Sequence, residues 1–256
     1  MDTILIGTTA INRPELHNLI FPKWKKWLLD SGKKLVWVVN IDRIGYLEDT
    51  YETTKQNIEQ LLGDINELII LPPQSNGFLG ACKNISKYIK SYVDKNNLNK
   101  NKLNVMWLED DWDLNTTLSL TTLLQYSGQK THINLSGIVN NYIWALAPSI
   151  ICYPFWEDIF YQAWHHQSVD IDAEKCVGNY FIGNYYDTES VMNITIDGIN
   201  IDKNMEKLLS DSQPVFVKLR PPIAFDKGIE FLKNKSIKKK IVKVNRKVKI
   251  FVYEKL

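Results

Sequence analysis

Apolar and polar positions along the first hundred residues alternate between a strand-like and a helix-like pattern. Thr3 to Thr9 reads as a short buried strand, closed by a turn at Asn12-Arg13-Pro14. Glu15 to Asp30 then carries Leu16, Leu19, Ile20, Trp24, Trp27 and Leu28 at helical spacing, with Ser31-Gly32 as the stop. Pro22 inside that stretch predicts a kink or a late start. A second strand is predicted over Lys34 to Asn40, a second helix over Thr50 to Leu62, and a third strand over Leu68 to Leu71, ended by Pro72-Pro73. Asn76-Gly77 opens a helix to about Val93, Asp94 to Asn104 is a polar loop, and Val105 to Leu108 is a fourth strand.

Strands alternating with helices predict an α/β fold with a mixed, mostly parallel sheet flanked by helices. Beyond residue 115 the pattern is less regular. Thr131 to Gly137, Tyr142 to Ala147 and Val215 to Leu219 read as strands, and Phe155 to His166 and Asp172 to Phe181 as helices. Val242 and Val244, then Val248, Ile250 and Val252, alternate with polar residues around Asn245-Arg246-Lys247, which predicts a C-terminal basic β-hairpin.

With 256 residues and 45% hydrophobic content the chain can bury a substantial core. Three cysteines (Cys82, Cys152 and Cys176) without Cys-x-x-Cys spacing point to a reducing compartment rather than a disulfide framework or a zinc site. The N-terminus lacks the pattern of a signal peptide, and the longest apolar region, Tyr142 to Trp156, is broken by Pro148 and Pro154 and is too short to span a bilayer. The expected location is cytoplasmic.

Net charge is +2 but unevenly spread. Residues 227–256 hold eleven Lys/Arg against Glu230 and Glu254, whereas the other 226 residues sum to −7. We read 1–226 as one catalytic-size domain and 227–256 as a basic tail. The tail suits a dimer contact or self-docking first and an anionic membrane surface second. Its alternating pattern disfavours nucleic acid as a partner.

The densest chemistry is Glu109-Asp110-Asp111-Trp112-Asp113, four carboxylates in five residues after an apolar strand. Such a cluster calls for a divalent cation, for arginines, or for water. Ligands of parallel sheets bind beyond the C-terminal strand ends, which gathers Thr8-Thr9, Asn40-Ile41-Asp42, the Asn76 turn and residues 109–113 along one rim. No phosphate-binding Gly-x-x-x-x-Gly-Lys-Ser/Thr loop, Gly-x-Gly-x-x-Gly turn, Gly-x-Ser-x-Gly elbow or His-Glu-x-x-His helix is present.

The segment Asn76-Gly77-Phe78-Leu79-Gly80-Ala81-Cys82-Lys83-Asn84 resembles the Asn-x-Gly-x-x-x-Ala-Arg-Asn signature of family-2-like glycosyltransferases with the GT-A fold. Gly77 falls one place early, Cys82 stands for the alanine and Lys83 for the arginine. The Asp-x-Asp metal motif of that family corresponds to Glu109-Asp110-Asp111, and the opening strand and the strand ending in Asp42 fall in the same order. The resemblance covers roughly residues 1–115, the nucleotide-sugar half; 116–226 would be the acceptor half.

It implies a site for a nucleotide-diphosphate sugar, UDP by default. Thr8, Thr9, Arg13 and Asp42 would lie around the base and ribose, with Asn76, Lys83, Glu109 and Asp110 completing the donor site. Asp111 would bind Mn²⁺ or Mg²⁺, with Asp113 as a second or outer ligand. An inverting enzyme needs a general base; Asp172, Glu174 and Asp170 are the candidates, and a helix cap is the alternative use of Asp170 or Asp172. The sequence has neither the Gln-x-x-Arg-Trp segment nor the membrane span that processive polysaccharide synthases show, which points to single-sugar transfer, to a hydroxyl of a glycan, glycolipid or protein. A nucleotidyltransferase and a non-catalytic nucleotide- or glycan-binding module are the alternatives. His165-His166 remains open between a helix end and a metal or acceptor contact.

Overall fold

The computed structural model describes residues 2–45, 50–72, 77–128, 130–136, 147–166, 173–184, 192–197, 214–228, 230–231, 237–243 and 249–255. The first half follows the predicted alternation: β1 (Thr3–Asn12), α1 (Pro14–Leu29), β2 (Lys34–Gly45), α2 (Tyr51–Leu62), β3 (Glu67–Leu71), α3 (Phe78–Lys95) and β4 (Asn104–Glu109). Helix α1 starts at Pro14, where a proline costs no hydrogen bond, and runs continuously through Pro22, so there is no late start. Thr50 caps α2 in a reciprocal arrangement with Thr53. The polar 94–104 segment includes a short 3₁₀ turn, Lys100–Lys102.

After β4 come β5 (Trp112–Leu114), α4 (Leu120–Leu124), β6 (Thr131–Asn134), β7 (Ser149–Cys152), α5 (Tyr153–Trp156), α6 (Gln162–His166), α7 (Ala173–Asn184), β8 (Met192–Asp197), β9 (Val215–Arg220) and β10 (Ala224–Asp226). A π-helical turn, Glu157–Tyr161, joins α5 to α6. The expected strand at 142–147 falls mostly on residues outside those described. The strand that follows, β7, is a buried stretch of four residues, too short to carry a readable period. β11 (Ile237–Lys243) and β12 (Lys249–Lys255) pair antiparallel, and the residues joining them lie outside those described.

Among the described residues, eight strands form the main sheet in the order β3-β2-β1-β4-β7-β6-β9-β8. β7 runs antiparallel to both neighbours, and every other pairing is parallel. The sheet is covered on both faces, as side-chain alternation shows. Ile4, Ile6, Trp37, Val39, Met106 and Leu108 join the cluster under α1 and α2, while Leu5, Val36, Val38, Val105 and Trp107 join the one under α3 and α5–α7. Gly7 lets α3 approach β1: a Cβ there would meet Ile85 at 2.9 Å and the Trp107 ring at 3.0 Å.

Candidate functional site

Register places the rim. Thr9 is the partner of Asn40 on one side and of Glu109 on the other, and Asn40 pairs with Leu71. The ends of β3, β2, β1 and β4 therefore form one row, and Asp42 and the acidic turn lie just beyond it. Asn84, on α3, ties this row together: its Nδ2 donates to Asn40 Oδ1 at 2.7 Å and to the Pro72 carbonyl at 3.1 Å.

The four carboxylates point four ways. Glu109 accepts from Trp112 Nε1 at 2.8 Å. Asp113 pairs with Lys23 at 2.7 Å near the surface, where such pairs contribute little. Asp110, expected among the donor contacts, turns inward and is 2% exposed. It accepts from the Ile11 amide at 3.0 Å and from Arg13 through both Nε, at 3.0 Å, and Nη2. His17 Nε2 lies 2.7 Å away, its ring stacked on Phe21. Against the cost of burial, Arg13 and His17 hold the Asp110 carboxyl well below the usual carboxylate range.

Asp111 is the member left at the rim, its side chain a quarter exposed, with Oδ2 3.1 Å from Arg13 Nη2. Burial pushes its carboxyl above the ordinary value; Arg13 opposes this, while Asp110 and Asp226 add to it. Asp42, buried in the C-terminal part of β2, is pushed up to about 6, mainly by burial, with an Asn40 hydrogen bond opposing and Asp110 adding.

Of the other expected contacts, Thr8 is buried and its hydroxyl accepts from Trp37 Nε1 at 2.9 Å; Thr9 is buried and its carbonyl accepts from the Asp110 amide. The Arg13 side chain, expected near base and ribose, is nearly buried between Asp110 and Asp111. Lys83 is half-buried on α3, and its carbonyl accepts from Ser86 Oγ, which also lies 3.1 Å from His165 Nε2. Asn76, Asp170 and Asp172 lie outside the described residues, and Glu174 is placed only as part of α7.

Sequence reasoning missed the segment that returns to the acidic turn. The amides of Ile223 and Ala224 donate to the Leu135 carbonyl, and β10 pairs antiparallel with β5, Asp226 opposite Trp112. The Lys227 amide donates to the Asp111 carbonyl at 2.8 Å. No local signal marks this pairing, since both strands are three residues long.

Among the described residues, no three of His, Cys, Asp and Glu converge as a metal cage. Asp111, on which the Asp226 charge acts, offers carboxylate oxygens, the ligand type that Mg²⁺ and Mn²⁺ take. No described helix is long and apolar enough to cross a membrane. Compared with known proteins, the chain matches no protein-family model, and no curated protein comes out as a relative.

Proposed function

We propose that the chain is a GT-A-like, metal-dependent glycosyltransferase that moves one sugar from a nucleotide-diphosphate donor to an acceptor hydroxyl. The observation that carries this reading is the row Leu71, Asn40, Thr9 and Glu109, which brings Asp42 and Asp111 to one rim of a mostly parallel sheet. The placement suits a nucleotide lying across the strand ends, with Asp42 toward the base and Asp111 toward the phosphates. Asp111 and Asp226 would hold the dication, and that ion, when bound, supplies charge stabilisation to the departing nucleoside diphosphate. Asp110 keeps the turn in place through Arg13 and His17, leaving Asp111 as the carboxylate presented.

The test is a thermal-shift panel of UDP, GDP, dTDP and CMP, each with Mn²⁺ and with EDTA. Ligand at about a hundred times its dissociation constant adds roughly 2.7 kcal/mol, several degrees for a chain of this size. A shift with one nucleotide that disappears in EDTA is expected; no shift with any of them sinks the reading.

The contact between Arg13 and Asp111 favours a second reading, since a guanidinium already supplies a counter-charge there. In a metal-free binding module, Asp111→Asn would leave nucleotide binding intact and EDTA would have no effect. In the transferase, Asp111→Asn removes Mn²⁺-dependent binding and turnover together.

A further inference from the structure

The segment that crosses the acidic turn is built to meet one side chain. It leaves β9 at Arg220, is held by the Leu135 carbonyl, and lies along β5 for three residues. Asn115 anchors it again, its amide donating to the Ile223 carbonyl at 2.9 Å. It then reaches Asp111 twice, through the Lys227 amide and through Gly228. Gly228 is buried, and its own amide donates to Asp226 Oδ1 at 2.8 Å.

A Cβ at Gly228 would lie 2.7 Å from Asp111 Oδ2, 3.0 Å from its Cβ and 3.3 Å from its Cγ. The backbone there does not adopt the left-handed conformation that otherwise selects glycine; its only positive-φ glycines among the described residues are Gly32 and Gly77. Gly228 therefore leaves room that a Cβ would take, and that room belongs to the Asp111 carboxylate. Oδ2 is bounded on one side by Arg13 Nη2 and on another by this backbone.

We propose that Gly228 is a positioning residue for Asp111, and that residues 223–228 form a strap which seats this carboxylate toward the rim. In catalytic terms this rests on the transferase reading, with Asp111 as the group facing the cation and the donor phosphates. The strap takes no part in proton transfer or bond making; it fixes where one carboxylate oxygen stands. A side chain added at 228 displaces Oδ2 and weakens what Asp111 holds, without touching the Asp42 end of the rim.

The experiment uses the full chain with Gly228→Ala, Asp111→Ala and the double substitution. Two quantities are read: the unfolding midpoint without ligand, and the Mn²⁺ concentration giving half the nucleotide-induced shift. Gly228→Ala is expected to raise that Mn²⁺ concentration by at least fivefold, leaving the nucleotide that binds unchanged. Its unfolding midpoint drops, and at least half of that drop disappears when Asp111 is alanine, because the Oδ2 contact is gone while the Cβ contact remains. An unchanged Mn²⁺ requirement, or an equal drop in both backgrounds, overturns the proposal. If Gly228→Ala does not fold, the double substitution decides: recovery of folding supports the seat, and failure refutes it. Should no nucleotide bind to the unsubstituted chain, the transferase reading falls, while the unfolding cycle still judges the seat.

Discussion

Asp110 is the group whose removal has the most calculable consequence. Its carboxylate is 2% exposed and receives the Ile11 amide, two nitrogens of Arg13 and His17 Nε2. Asp110→Ala leaves a guanidinium that is 5% exposed without its main partner and strands the Ile11 amide. Breaking one side of a buried pair costs about 3–5 kcal/mol. Asp110→Asn keeps an acceptor but loses the charge, a loss of about 2 kcal/mol, in the range of hydrogen bonds to charged groups. Urea unfolding at pH 7 with an unchanged slope should show that order, Ala worse than Asn. In melting experiments 4 kcal/mol corresponds to a drop of roughly 8–16 °C for a chain of this size.

The dependence on pH has a definite sign. A folded-state pKa held below the unfolded value of about 3.9 gives stability that is present above that value and lost as pH falls through the folded one. The gap between the unsubstituted chain and Asp110→Asn should therefore narrow below about pH 4. The pair Arg13→Met with Asp110→Leu should recover only part of the loss: it removes the stranded guanidinium, but the Ile11 amide and His17 still lack the carboxylate and Asp111 loses its counter-charge. A loss under 1 kcal/mol in Asp110→Ala would refute the idea that this cluster holds the turn.

Three further outcomes are expected. Asp42, whose carboxyl is pushed up to about 6 by burial, binds its proton more tightly folded than unfolded, so its contribution falls as pH rises from about 4 to 6; Asp42→Asn should stabilise by about 3 kcal/mol at pH 8 and by little at pH 4 in paired melts. His132, buried between Phe160 and Phe216 and pushed down to about 4 by burial, works the other way: stability is lost as pH falls from about 6.5 to 4. His132→Leu should flatten that limb of the stability profile, and an unaltered limb would exclude His132 as its source. Gly7→Ala, which forces a Cβ against Ile85 and Trp107, should cost about 1–3 kcal/mol in urea unfolding.

The frame from β1 to β4 was legible because its signals are clean: β1 and β4 are short runs buried almost end to end, as strands covered on both faces are, and a wide apolar stripe on α1 makes Leu16, Ile20, Trp24 and Trp27 read as one face. The rim followed from topology, and the register of Thr9, Asn40 and Glu109 agrees with it. What the sequence did not disclose is direction. Four carboxylates on one turn look alike in a string of letters, yet turn geometry sends Asp110 to Arg13, Asp113 to Lys23 and Glu109 to Trp112. Nor could it disclose the β5–β10 pair, because two three-residue strands far apart in the chain have no period and no shared turn. Residues 227 and 228, placed by charge at the start of a tail, lie against Asp111 instead.

The seat of Asp111 also bears on the order in which the molecule is made. Its two walls come from opposite ends of the chain: Arg13 lies before the first helix and Gly228 after the last strand of the main sheet. β2 can pair with β1 and β3 once about seventy residues exist, and loops that short close at little entropic cost. The second wall requires contacts of long sequence separation, which form slowly. A refolding population should thus pair β1, β2 and β3 before it regains a properly held carboxylate, passing through a stage in which that part of the sheet is built and the rim is still open on its C-terminal side.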